Sequence, residues 1–373
     1  MSVLKLMAGL GGAPSPINFG SEVVFDSLDS RFTSICYDTT NNKVVISYQN
    51  TASSNTVAVV GTISGASITF GTPVVVEGSS NPKGNVFDPT SGKVIVFYQD
   101  QGSGLTAIVG TVSGTSISFG SPAVVSSKYS DTAACYDSVN NKVVVAYRDN
   151  ASPYYGFSKV GTVSGTSISF GAEATYAAGS SRVHQDSIAY DSTNGKVVIV
   201  FRDVSNSSYP TAVVGTVSGT SISFGTEVVI DNSNNAGQCA TTYDVASGKI
   251  VMAYPSNTSP YPLLSAVGTV SGTSISFGTP VVVDSALFST SLSFIYDSIN
   301  EQVVLSYSKS GQFGRAIVGV VAGTSISYSD TVDFSVDTSS FGNSTYDPDT
   351  GSVIISYQDV GNSNYGTAIV GEL

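Results

Sequence analysis

The chain of 373 residues contains no tryptophan, a single histidine, three cysteines and only 11% charged residues. Each scarcity excludes something. Without tryptophan, neither the Trp-Asp dipeptide nor the Asp-box with its aromatic can be present. One histidine, His184, excludes His-rich metal sites, and no HExxH stands in the chain. Cys36, Cys135 and Cys239 show no CxxC spacing. Cys36 and Cys135 precede the same Tyr-Asp pair, which marks them as buried inner-strand residues and argues against a disulfide framework. P-loop, D-x-D-x-D-G and GxSxG motifs are missing, and nothing calls for a metal or cofactor. No run approaches the roughly 20 apolar residues of a membrane-spanning helix. The N-terminal MSVLKLMAGLGGAPSP lacks the apolar region and cleavage site of a signal peptide. Basic residues are also few. With a net charge of -12 and no basic stripe, nucleic acid is not an expected partner.

What is present is a repeat. VGTVSGTSISFG stands at Val109–Gly120, Val160–Gly171, Val214–Gly225 and Val267–Gly278. Variants run from Val60 to Gly71 and from Val318 to Ser329, and a bare tail, INFG, ends at Gly20. Successive end points lie 51, 49, 51, 54, 53 and 51 residues apart. A fixed period of this size signals a repeat architecture.

Each repeat reads as four short strands. In the third, strand A is expected around Thr132–Tyr136, B over Lys142–Arg148, C over Phe157–Val163, and D from Ile168 into Ala172–Tyr176. Runs such as KVVVAY are β-branched and apolar on both faces, as inner strands of stacked sheets are. The A–B turns (DTTNNK, DPTSGK, DSVNNK, DSTNGK, DVASGK, DSINEQ and DPDTGS) begin with an Asp that can cap its own turn. Asp38, Asp88, Asp137, Asp191, Asp244, Asp297 and Asp347 are therefore read as turn residues, not as an acidic binding ring. Strand D is expected at the outer edge, because Glu22, Pro73, Pro122, Glu173, Glu227 and Pro280 discourage edge pairing.

Seven four-stranded antiparallel sheets make an all-β, seven-bladed β-propeller. The last repeat, from about residue 330 to 373, supplies strands A to C and stops. Its strand D is expected from residues 14–25, so that the N-terminal strand closes the last blade and residues 14–373 form one domain. Residues 1–13 remain as an arm.

The A–B and C–D turns share one face and hardly vary. The B–C and D–A loops share the other and vary in length and composition, and variable loops on a fixed scaffold are where binding is placed. These loops carry Tyr154, Tyr155, Tyr209, Tyr261, Phe313 and Tyr365, with Arg31, Lys83, Lys128, Tyr129, Arg182 and His184. Gln49, Gln99, Arg148, Arg202 and Gln358 end strand B at equivalent positions. The candidate ligand-binding set is Tyr129, Arg148, Tyr154, Tyr155, Arg182, His184, Arg202 and Tyr209, in repeats three and four. Exposed tyrosine with arginine suits a saccharide or a protein, and clustered arginine suits an acidic glycan. The alternative is that these tyrosines only pack loop against loop.

The VGTVSGTSISFGTPVVV repeat resembles those of propeller proteins in marine bacteriophages and other aquatic viruses. The resemblance spans all seven repeats and implies a virion or tail-associated structural or host-attachment role, without a catalytic motif. Localisation on a virion is thus expected, with the cytoplasm as the alternative. Other virion proteins would bind through the arm, and a host glycan or protein through the loops. A purely architectural role and a glycan-cleaving enzyme remain the rival readings.

Overall fold

The computed structural model describes residues 13–127, 131–151, 154–178, 183–285, 289–309 and 313–373; for 183–186, 289–290, 309 and 341 it describes the backbone only. The described residues form strands and turns with no helix. The chain is a seven-bladed β-propeller of antiparallel blades. In blade three, strand A is Thr132–Asp137, B is Lys142–Arg148 and C is Gly156–Ser164. Strand D is not continuous. It comes as Ser167–Phe170 and Ala174–Ala177, both paired with strand C and separated by Gly171, Ala172 and Glu173. The other blades break strand D at the same place, so the outer edge offers no long template for another chain.

Two 16-residue strands tie three blades together. Val332–Asp347 leaves blade six as its outer strand and becomes strand A of blade seven. Val23–Asp38 does the same from blade seven to blade one. The pairings Asn18↔Glu372, Phe19↔Gly371 and Val23↔Ala368 place residues from the N-terminal region beside Tyr365–Glu372, the last strand of blade seven. Inner strands of consecutive blades pack side by side, and those of the seventh and first do so as well.

Seven buried layers hold the blades to one another. Two sets of buried polar groups recur from blade to blade. All seven turn aspartates are buried. Asp38 accepts from the Thr40 and Asn41 amides at 2.9 and 3.0 Å, and the pattern repeats round the chain. Tyrosine precedes six of these aspartates, Phe87 standing before Asp88, and the tyrosine reaches back to the preceding blade's turn. Tyr136 Oη donates to Thr90 Oγ1 at 2.6 Å, Tyr243 Oη to Thr193 Oγ1 at 2.6 Å and Tyr346 Oη to Asp297 Oδ1 at 2.6 Å.

A second set of tyrosines, on strand B, is fully withdrawn from water and lies against an acid on an outer strand. Four have it in the preceding blade: Tyr254 Oη donates to Asp231 and Tyr307 Oη to Asp284, while Tyr48 lies near Asp26 and Tyr98 near Glu77. Blades two and six end that segment in Ser126 and Ser335 instead. The tyrosine that follows each then uses a glutamate of its own blade, Tyr147 to Glu173 at 2.6 Å and Tyr357 to Glu22 at 2.8 Å. Blade three ends the segment in Ala177, and blade four carries Phe201 where the others have tyrosine. Glu22 and Glu173, read above as edge protection, thus also satisfy buried hydroxyls.

Candidate binding face

The B–C and D–A loops gather on one face. Arg148 ends strand B of blade three. Its Nε lies 3.4 Å from Asp131 Oδ2, its side chain is 11% exposed, and its Cζ sits 5.6 Å from the centre of the Tyr154 ring. Tyr155 is half-buried and meets Phe157 edge-on at 6.2 Å. In blade four Arg202 Nη2 donates to Ser208 Oγ at 3.1 Å, and the backbone of His184 is its cross-strand partner. Tyr209 pairs with Asp203 and is half-buried. Arg148 and Tyr154 therefore come together, as do Arg202 and the His184 backbone. Tyr129 and Arg182 lie outside the described residues, as does the His184 side chain. In blade three an incoming acid would share Arg148 with Asp131.

Three loop-face aromatics stand on left-handed backbone: Phe32 at φ 54°, Tyr154 at 62° and Tyr261 at 62°. On the opposite face the left-handed positions of the A–B turns are Asn42, Gly92, Asn141, Gly195, Gly248, Glu301 and Gly351, mostly the residues that tolerate it. A bulky residue there costs on the order of 1–3 kcal/mol. Phe32 and Tyr261 are 39% and 46% exposed, so little burial offsets that cost. Sequence reading picked out Tyr154 and Tyr261 by composition but missed Phe32, since nothing in the residue type announces its backbone conformation.

Lys83 extends the constellation. Its Nζ lies 5.9 Å from the centre of the Phe32 ring. Burial lowers its pKa, and Asp131 partly opposes that. Phe32, Lys83, Asp131, Arg148 and Tyr154 thus form a connected strip from blade one to blade three. Burial pushes the Cys36 and Cys135 thiols up and keeps them protonated. Among the described residues no group of three or more His, Cys, Asp or Glu is arranged to hold a metal.

No family model and no curated protein matches the sequence. Solved structures do match, and they are propellers. Raptor from Chaetomium thermophilum aligns with a TM-score of 0.61 and 9% identity over 96% of this chain, which spans 29% of that protein. The Swd1 β-propeller domain from Myceliophthora thermophila gives 0.60 and 7%, over 96% of this chain and 100% of that one. The NanB sialidase from Streptococcus pneumoniae gives 0.53 and 12%, over 100% and 73%. Identities this low establish the shared fold, and the fold carries both sialidases and proteins of other kinds.

Proposed function

We propose that this propeller is a non-enzymatic recognition module whose loop face binds a glycan or a protein. The observation that carries the reading is the set of aromatics held on left-handed backbone, Phe32, Tyr154 and Tyr261, all on the variable face. Strain kept at Phe32 and Tyr261, both exposed, and at half-buried Tyr154 is best explained by a ligand that stacks on them. Arg148, Arg202 and Tyr209 flank the same face, and Tyr129, Arg182 and His184 belong to its blade three and four sector. The virion setting rests on the resemblance of the repeat, and residues 1–13 are proposed as the tether to a particle. A second reading is architectural, favoured by the Arg148–Asp131 pair and by Tyr155 packing on Phe157.

The test is the double variant Tyr154→Asn with Tyr261→Asn. Asparagine accepts the left-handed conformation, so the fold should melt no lower, while binding on a glycan array should fall roughly tenfold, in line with stacking contacts worth about 1–3 kcal/mol. A lowered melting temperature with unchanged binding would favour the architectural reading.

A further inference from the structure

The inner strands surround a central cavity of about 290 Å³ to which every blade contributes, among others through Ser34, Asn85, Thr132, Ser187, Gln238 and Asn343. That volume is near the lower end of the roughly 300–1,000 Å³ of small-molecule sites. Its charge runs against the composition. The chain has 27 acidic residues and 15 Lys and Arg, yet among the described residues lining the cavity there is no acid and one charged group, Lys83.

Lys83 makes no hydrogen bond among the described residues, although an ammonium has three protons to donate. The nearby carboxylate, Asp131, is engaged by Arg148. Two amides on the wall also have capacity to spare. Gln238 Oε1 is buried without a partner. Asn343 Oδ1 accepts from Ser293 Oγ and the Ser344 amide, which leaves its Nδ2 to donate. Other wall groups are already committed: Asn85 Nδ2 donates to the Ser34 carbonyl, and Ser187 Oγ accepts from the Thr241 amide. A half-buried cation with no hydrogen bond among the described residues and a buried amide oxygen without a donor, in one acid-free polar cavity, suit a small acid that also carries hydroxyls.

We propose that the central cavity binds a small organic carboxylate of monosaccharide size, such as a sugar acid. Its carboxylate pairs with the Lys83 ammonium. One hydroxyl accepts from Asn343 Nδ2, and a turn of the Gln238 side chain brings its Oε1 to accept from another. This site lies inside the ring of inner strands and stands whether or not the outer loop face binds anything.

The experiment is calorimetric titration of the full chain with glucuronate and galacturonate, with glucose as the neutral control. At least one sugar acid should bind, and glucose should bind roughly tenfold more weakly or not at all, because only the acid meets the charge. Lys83→Met should abolish sugar-acid binding while the unliganded melting temperature holds. Lys83→Arg should restore part of it. Gln238→Ala should weaken the sugar acid severalfold. The double variant Tyr154→Asn with Tyr261→Asn should bind the sugar acid as before, which separates failure of this site from failure of the loop face. The proposal is overturned if neither sugar acid binds, if glucose binds equally well, or if folded Lys83→Met retains full affinity. Inorganic phosphate binding as tightly as the sugar acids would overturn it too, by showing a site for any small anion.

Discussion

Blade four shows what one missing hydroxyl does. Phe201 stands where six other blades carry tyrosine, and Glu227 is spaced from it as Glu173 is from Tyr147. Burial, with Asp203 nearby, raises the pKa of Glu227. Asp231, in the same blade, goes the other way. Burial alone would raise it, but hydrogen bonds from Tyr254, Asn234 and Ser233 pull it below the usual carboxylate range. The signs of the two linkages differ. Glu227 favours folding below its unfolded pKa, and this contribution is lost as pH rises through the folded value. Asp231 favours folding above its unfolded pKa and loses that as pH falls. Phe201→Tyr should supply Glu227 with a donor and stabilise the fold by about 0.5–1.5 kcal/mol near neutral pH. Melts over a pH series should show the gain shrinking as Glu227 is protonated. The same gain in a Glu227→Ala background would refute the pairing.

At the level of the repeat element, the glycine that closes each VGTVSGTSISFG has a steric task. A Cβ on Gly120 would stand 1.9 Å from the Thr166 carbonyl oxygen, in the C–D turn of the next blade. Gly20, Gly71, Gly171, Gly225 and Gly278 face the following turn in the same way. The sixth repeat ends in Ser329, and the blade after it has no C–D turn, because its C and D strands come from opposite ends of the sequence. With no carbonyl to avoid, the serine instead accepts from the Val318 amide at 3.1 Å and donates to the Asp330 carbonyl at 2.8 Å. Gly120→Ala should therefore cost roughly 2–4 kcal/mol, since backbone cannot retreat as a side chain can. Ser329→Ala should cost about 1 kcal/mol, the value of ordinary hydrogen bonds. Chemical denaturation of both variants checks the contrast, and equal losses would contradict it. The repeat, its strands and its turns were legible because each residue has a local reason that recurs. The rim pairs were not, since Tyr254 and Asp231 sit in different blades and meet only once the blades are neighbours. Lys83 stood among the loop cations in the sequence; that it borders an acid-free cavity depends on residues from all the other blades.

For the whole molecule, the outer strand of blade seven is the critical piece. Deleting residues 1–25 removes Asn18–Phe19, Val23 and Phe25, leaving Tyr365–Glu372 without its outer partner and Gly366 without the ring packed on it. The product should aggregate or melt far lower, whereas deletion of residues 1–12 should leave the melting curve in place. Light scattering and thermal melts distinguish these outcomes, and a soluble, equally stable product of the longer deletion would refute the role given to that strand.

The buried tyrosine–acid pairs also decide which blades could trade places. Blade five could be duplicated in tandem, because the copy's Tyr254 would meet the original's Asp284 and the copy's own Asp284 would meet Tyr307. Blade three moved behind blade five would bring two carboxylates, Glu173 and Asp284, to the single hydroxyl of Tyr147. Blade two moved behind blade three would leave the Tyr98 hydroxyl in a dry core beside Ala177, with Pro122 where Glu173 helps Tyr147. Modules that look interchangeable when written one above another are therefore subject to an ordering rule, and a descendant reshuffled against that rule must mutate its rim acids before it can fold as well as its parent.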